Sequence, residues 1–151
     1  MSHRRRRFPA LPGALVLLGC AAADAPGPVP GYPFAYASNE CGPADGPATT
    51  LYLSERALDS LPPAGGHLAV TVWVGRDEAL GRTFRSSDQP AQGFAAECGS
   101  AVSCEPAAAW RVTLRGISRD TLAGSVDLLL GSRRVAGSFR ARWMPMRQYC
   151  G

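Results

Sequence analysis

Residues 110–143 read WRVTLRGISRDTLAGSVDLLLGSRRVAGSFRARW, and this stretch decides the fold class. Apolar and polar residues alternate along three segments of it, with the period of two residues that is typical of β-strands. One face of each segment carries the core candidates, which are Trp110, Val112 and Leu114, then Leu122, Gly124, Val126, Leu128 and Leu130, then Val135, Gly137, Phe139, Ala141 and Trp143. The stretch predicts a three-stranded antiparallel meander.

The requirement that the apolar sides stay together fixes the register of this meander. A slip of one residue would turn every side chain to the opposite face. The register places Trp110 opposite Leu128, and Leu128 opposite Val135. It predicts residues 118–120 as the first loop and residues 131–132 as the second, where a leading glycine suits a type II′ turn.

The earlier part of the domain continues the β pattern. Alternation over residues 50–53 and 67–74 predicts strands, and residues 82–85 suit a short one. Residues 54–60 suggest one helical turn, and residues 94–106 a loop. The fold class is therefore predicted as all-β, a small antiparallel β-sandwich or barrel that ends in the meander.

Four arginines are predicted on the outer, polar face of the meander: Arg111, Arg115, Arg140 and Arg142. Two interpretations remain open. They form either an ordinary solvated face or an anion-binding patch for lipopolysaccharide, teichoic acid or an acidic partner. The register also places Asp127 opposite Arg111, which partly offsets the positive charge.

The N-terminus has a different character. Arg4–Arg7 precede a short apolar run that ends Leu17-Leu18-Gly19-Cys20. This arrangement resembles a bacterial lipoprotein signal with its lipobox. The resemblance implies that residues 1–19 are a removed signal peptide, and that Cys20 becomes the lipidated N-terminus that holds the protein at a membrane. An ordinary signal peptide is the alternative, and Arg5-Arg6-Arg7-Phe8 also resembles a twin-arginine export motif.

The segment after Cys20 is predicted to be a tether. Residues 20–40 are rich in alanine, proline and glycine, and in an extended form they would reach roughly 60 Å. Alternating Tyr32, Phe34 and Tyr36 suggest an edge strand or docking arm, or a ligand for a partner protein. The β domain is then predicted to span residues 41–151. In lipoproteins of Gram-negative bacteria, a residue other than aspartate after the lipidated cysteine implies transfer to the outer membrane. Ala21 occupies that position here.

Cysteine usage agrees with export. Lipidation of Cys20 leaves four of the five cysteines, and four cysteines in an oxidising compartment indicate two disulfides. Three connectivities exist, of which Cys98–Cys104 and Cys41–Cys150 are favoured. A four-cysteine zinc site is disfavoured because no C-x2-C pair is present.

Charge and motifs exclude several functions. Four of the sixteen arginines lie in the leader, so the mature part has twelve arginines and twelve acidic residues. A neutral domain does not favour nucleic-acid binding. No metal site or cofactor is predicted. No catalytic residue is predicted either, because His67 is the sole histidine after the leader and no G-x-S-x-G sequence accompanies it.

The sequence therefore predicts an envelope lipoprotein with a non-enzymatic structural or binding role. In general plan the chain is similar to small secreted lipoproteins, and its partner would be an envelope protein or polysaccharide. The alternative is an inhibitor of a lysozyme-like enzyme that acts through the loop between Cys98 and Cys104. This alternative rests on the size and anchoring of lysozyme-inhibiting lipoproteins. A hydrolase is the third interpretation.

Overall fold

The computed structural model describes residues 27–100, 103–147 and 150, with the backbone alone at Ile117. Nine strands, one short helix and one 3₁₀ turn form within these residues. In chain order they are β1 (Phe34–Cys41), the 3₁₀ turn (Pro43–Asp45), β2 (Pro47–Ser54), β3 (His67–Val72), α1 (Arg76–Ala79), β4 (Thr83–Arg85), β5 (Gly93–Ser100), β6 (Ser103–Pro106), β7 (Ala109–Ser118), β8 (Thr121–Leu130) and β9 (Arg133–Trp143).

The nine strands form one continuous sheet in the order β4-β7-β8-β9-β1-β2-β3-β5-β6. Neighbouring strands are antiparallel except β1 and β9, which pair in parallel. The sheet curls into a half-barrel, and an ion pair of 2.5 Å between Arg133 on β9 and Glu97 on β5 connects its two halves. The predicted all-β class is confirmed, and the parallel contact that joins the halves is an addition to it.

The concave face of the sheet encloses the main core. Side chains from β2 and β3 pack there against those of β4 and the meander. The largest fully buried apolar side chains are Phe84, Leu53, Leu68, Leu122, Leu128, Val70, Val72 and Val112. A second, smaller cluster on the convex side joins Tyr36, Tyr52 and Ala69 beneath the segment that connects β2 to β3.

The predicted meander register is confirmed. Trp110 pairs with Leu128, and Leu128 pairs with Val135. The second turn also matches, because Gly131 has a φ of +58° and no other residue of that turn has a positive φ, as in type II′. The first loop is shorter than predicted. A register shift after Gly116 pairs Ser118 with Thr121, so the turn is residues 119–120.

Gly124 permits the close packing of β7 against β8. A Cβ at this position would lie 1.8 Å from the carbonyl oxygen of Thr113 and 2.8 Å from the ring of Phe139. Since neither the backbone nor the buried ring can move that far, a side chain cannot be accommodated at Gly124. Phe139 pairs with Gly124, and this placement of a large residue opposite a glycine is what the alternating pattern predicts.

The predicted start of the domain at residue 41 is wrong. Strand β1 begins at Phe34 and lies inside the sheet, between β9 and β2, so it is a central strand and not an edge strand. Its Ala35, Ala37, Ser38 and Asn39 gave no strong strand signal. Small and polar residues are sufficient here because neighbours on both sides supply the hydrogen bonds and the burial.

Two other local predictions are also wrong. No helical turn forms over residues 54–60, and α1 lies instead at Arg76–Ala79. Residues 94–106 are not a loop, because β5 and β6 pair as antiparallel strands in this range. The hairpin pattern was hidden by the small residues of β5, of which Ala95 and Ala96 are buried.

Both predicted disulfides are confirmed. Cys41–Cys150 joins residues separated by 109 positions, and Cys98–Cys104 joins residues separated by six. The first ties the end of β1 to the C-terminal end of the chain, and the second links directly opposite residues of β5 and β6. One disulfide therefore links distant parts of the chain, and the other links two neighbouring strands.

Candidate anion-binding face

The meander places the four predicted arginines together on its convex side. Arg111 and Arg115 lie on β7, Arg140 and Arg142 lie on β9, and all four are exposed. Their side chains share this face because residues two apart on a strand point the same way, while the apolar alternates enter the core. The sequence-based placement of these residues is thus reproduced by the fold.

Two further arginines extend the surface. Arg85 on β4 pairs with Arg111, and Arg134 on β9 pairs with Leu129, which is itself 38% exposed. We call the convex surface of β4 and β7–β9 the arginine face; it carries Arg85, Arg111, Arg115, Arg134, Arg140 and Arg142. Arg85 was missed from sequence because its pairing with β7 spans more than twenty residues of intervening chain.

Arg115 and Arg140 are near neighbours on the arginine face. Both pair with Ala123 of β8, one from each side, so their Cα atoms lie about 10 Å apart. Only the methyl group of Ala123 stands between them on this face. Two side chains of this length can reach one phosphate or carboxylate above β8.

An open groove of about 480 Å³ lies at the other end of the arginine face. It is lined by Arg85, Ser86, Arg111, Asp127 and Leu129, among others. Arg85 and Arg111 are direct cross-strand neighbours of like charge, and Asp127, which lies opposite Arg111 and is bonded to Arg134, offsets this charge only in part. An anion held in the groove would supply further counter-charge.

One carboxylate lies on the arginine face. Asp127 accepts two hydrogen bonds from Arg134, at 2.7 and 2.6 Å. The Arg134 guanidinium, with a smaller contribution from Arg111, holds the pKa of Asp127 below its ordinary value. Since the pKa is lower in the folded state, this pair favours folding above the ordinary carboxyl pKa and loses that effect as pH falls through the lowered pKa.

The substitution Asp127→Asn is expected to strengthen anion binding by a few-fold. It removes the one negative charge from the face and frees the guanidinium of Arg134. Titration of the variant with polyphosphate against the unchanged protein measures the effect. Glu78→Gln, which removes an exposed carboxylate from α1, is the control and leaves the affinity unchanged. An equal gain from both variants would contradict a local role for Asp127.

His67 lies at the start of β3 but is buried, at 5% exposure, rather than on the surface. Its Nδ1 lies 2.7 Å from the carbonyl oxygen of Gly65, and its ring tilts against that of Tyr52. The Tyr52 hydroxyl donates to Glu40, and burial, followed by this bond, raises the pKa of Tyr52. These contacts hold the strand entry in place and give His67 no carboxylate partner among the described residues.

The segment predicted to inhibit an enzyme, between Cys98 and Cys104, lies in a β-hairpin rather than a loop, with Cys104 exposed. Cys20 and the residues before it, predicted as a signal peptide, lie outside the described residues. Within the described part of the chain, no group of three or more His, Cys, Asp or Glu side chains could hold a metal ion. No helix there is long and apolar enough to cross a membrane.

Fold and surface together describe a small, disulfide-linked all-β domain with one arginine-rich face. Comparison of the chain with protein-family models, with curated proteins and with solved structures found no match.

Proposed function

We propose that this protein is an exported, lipid-anchored, non-enzymatic module of the bacterial envelope that binds an anionic component through the arginine face. The observation that carries the proposal is charge segregation. A mature chain of net charge zero places six of its twelve arginines on one solvent-open face, beside a single carboxylate. The positive potential of this face attracts anions, whereas the same charges distributed evenly over the surface would not.

The ion pairs of the domain support this function. Among the described residues, the two ion pairs involve Arg133 and Arg134. Arg115, Arg140 and Arg142 thus have no carboxylate partner in the described part of the chain, and Arg111 faces Asp127 without forming an ion pair with it. Their guanidinium groups can meet a ligand without first breaking an intramolecular bond, which keeps the cost of binding low.

The anchor and compartment are supported by two independent features. Leu17-Leu18-Gly19-Cys20 has the lipobox form, and the two disulfides suit an oxidising compartment outside the cytoplasm. A binding role needs no catalytic group, and His67 is engaged in structural contacts.

Polyphosphate binding tests the anion site. The face variant carries Arg115→Gln, Arg140→Gln and Arg142→Gln, and the control variant carries Arg56→Gln, Arg82→Gln and Arg147→Gln. Both lose three positive charges, but the control charges lie off the arginine face. We expect the face variant to bind fluorescently labelled polyphosphate at least tenfold more weakly, and the control variant to stay within about twofold of the unchanged protein.

The salt dependence of polyphosphate binding is a second test of the site. Binding by exposed arginines weakens as ionic strength rises, because screening shortens the range of the field. We expect the unchanged protein to show this decline and the face variant to show little of it. Equal losses in the face and control variants would mean that only net charge matters, and would overturn the proposed site.

A further inference from the structure

The chain before β1 is fixed to the domain from Gly27 onward. The backbone N–H of Ser138 on β9 donates to the carbonyl oxygen of Gly27 at 2.7 Å, and Pro28 forms a parallel bridge with Ser138. Val29 is 4% exposed and Tyr32 is 9% exposed, so both enter the core. Residues 27–33 therefore form a docked arm rather than part of a free tether.

Gly137 makes room for this arm. A Cβ at Gly137 would lie 2.7 Å from the Cα of Val29 and 2.9 Å from the carbonyl oxygen of Gly27. The arm is tied at its other end as well, because the Tyr32 hydroxyl donates to Glu97 at 3.1 Å. Backbone, apolar and side-chain contacts together hold it against β9 and β5.

The docked arm limits how far the domain can lie from the proposed anchor at Cys20. Seven residue steps separate Cys20 from Gly27, and a fully extended chain of that length reaches at most about 25 Å. A domain of this size has a radius of gyration of about 13 Å, so its full width exceeds that reach. The expected reach of roughly 60 Å for a tether of residues 20–40 is thus too long.

The tether leaves the domain beside the arginine face. Gly27 is bonded to Ser138, whose side chain lies on the convex surface two residues before Arg140 and in the same row as Ser125 and Thr113. Glu55, Asp59, Asp77 and Glu78 lie outside the strands of this face, and exposed Asp120 lies in its β7–β8 turn. A short anchor at Gly27 keeps the arginine face within reach of the membrane.

We propose that the arginine face binds the phosphate groups of anionic lipids in the membrane that holds Cys20. This inference rests on the proposed anchor and anion-binding face, and it names the partner. The lipid chains provide one membrane signal and the arginines a second, the combination that stable anchoring requires. The short tether raises the local concentration of headgroups at the face, so weak individual contacts suffice.

Vesicle sedimentation tests the inference with residues 20–151 carrying Cys20→Ser, which contains all nine strands and both disulfides and has no lipid. The vesicles contain either equal parts of phosphatidylcholine and phosphatidylglycerol or phosphatidylcholine alone. We expect binding to the anionic vesicles only, and weaker binding as salt rises. Each arginine near an anionic surface contributes on the order of fivefold in partitioning, so the face variant should bind at least tenfold more weakly. The control variant should stay within about twofold.

The outcomes separate this inference from the proposed function. Binding to both polyphosphate and anionic vesicles, lost in the face variant, supports both. Binding to polyphosphate without binding to anionic vesicles overturns the lipid partner and leaves an anionic polysaccharide or protein as the ligand. Binding to neither overturns both proposals. Equal binding to neutral and anionic vesicles, or an equal loss in the two variants, also overturns the inference. Thermal unfolding of each variant checks that a loss is not due to misfolding.

Discussion

Replacement of Cys41 and Cys150 by alanine is expected to lower the free energy of unfolding by about 4–5 kcal/mol. This disulfide closes a loop of 109 positions, and a cross-link of that length removes much conformational freedom from the unfolded chain. It also ties β1, the strand that joins the two halves of the sheet, to the C-terminal end of the chain. Urea denaturation of the oxidised proteins measures the loss.

The second disulfide is the matched control for this prediction. Cys98–Cys104 spans six positions, and the same chain-entropy relation gives about 2 kcal/mol for the loss of its bridge. We therefore expect the double alanine variant at Cys41 and Cys150 to unfold at a clearly lower urea concentration than the variant at Cys98 and Cys104. The reverse order would show that local strand pairing, rather than loop closure, dominates the contribution of these bridges.

The substitution Phe84→Ala is expected to destabilise the protein by about 3–5 kcal/mol. Phe84 has no exposed surface, and its ring enters the core from β4, which has just three residues. Truncation leaves a cavity that the surrounding strands fill only partly. Hydrogen bonds from β4 and its flanking residues to β7 remain, so we expect a loss of stability rather than of strand pairing. Thermal and urea unfolding measure the change.

Phe94→Ala provides the comparison for Phe84→Ala. Phe94 is 48% exposed on β5, so its removal should change stability by no more than about 1 kcal/mol. Equal destabilisation by the two substitutions would contradict the assignment of β4 to the core.

The meander could be predicted because its strands are adjacent in sequence. Its alternating pattern fixes which side chains enter the core, and short turns leave one register that keeps the apolar faces together. The outward direction of Arg111, Arg115, Arg140 and Arg142 followed from the same alternation. The single error in this region, at residues 118–120, arose from a register shift that the pattern does not encode.

Alternating Tyr32, Phe34 and Tyr36 suggested a docking arm or an edge strand, but the place where the arm docks and the central position of β1 could not be predicted. Proline and glycine near residues 26–33 suggest a flexible tether, and Ala37 and Ser38 have little strand propensity. The docking of the arm depends on Gly137, which lies more than a hundred residues after Val29 and leaves space for it. The number of residues between Cys20 and the docked arm, and with it the greatest distance from the proposed anchor to the arginine face, follows from that contact.

The sequence by itself determined the all-β class, the register of the meander, the presence of two disulfides and the face on which four arginines lie. Each of these depends on local alternation or on counting. The tertiary structure alone decided the order of the strands, the parallel contact of β1 with β9, the addition of Arg85 to the arginine face and the place on β9 where the arm docks. These features join residues distant in sequence, and the burial of one surface against another selects such contacts, which no local pattern records.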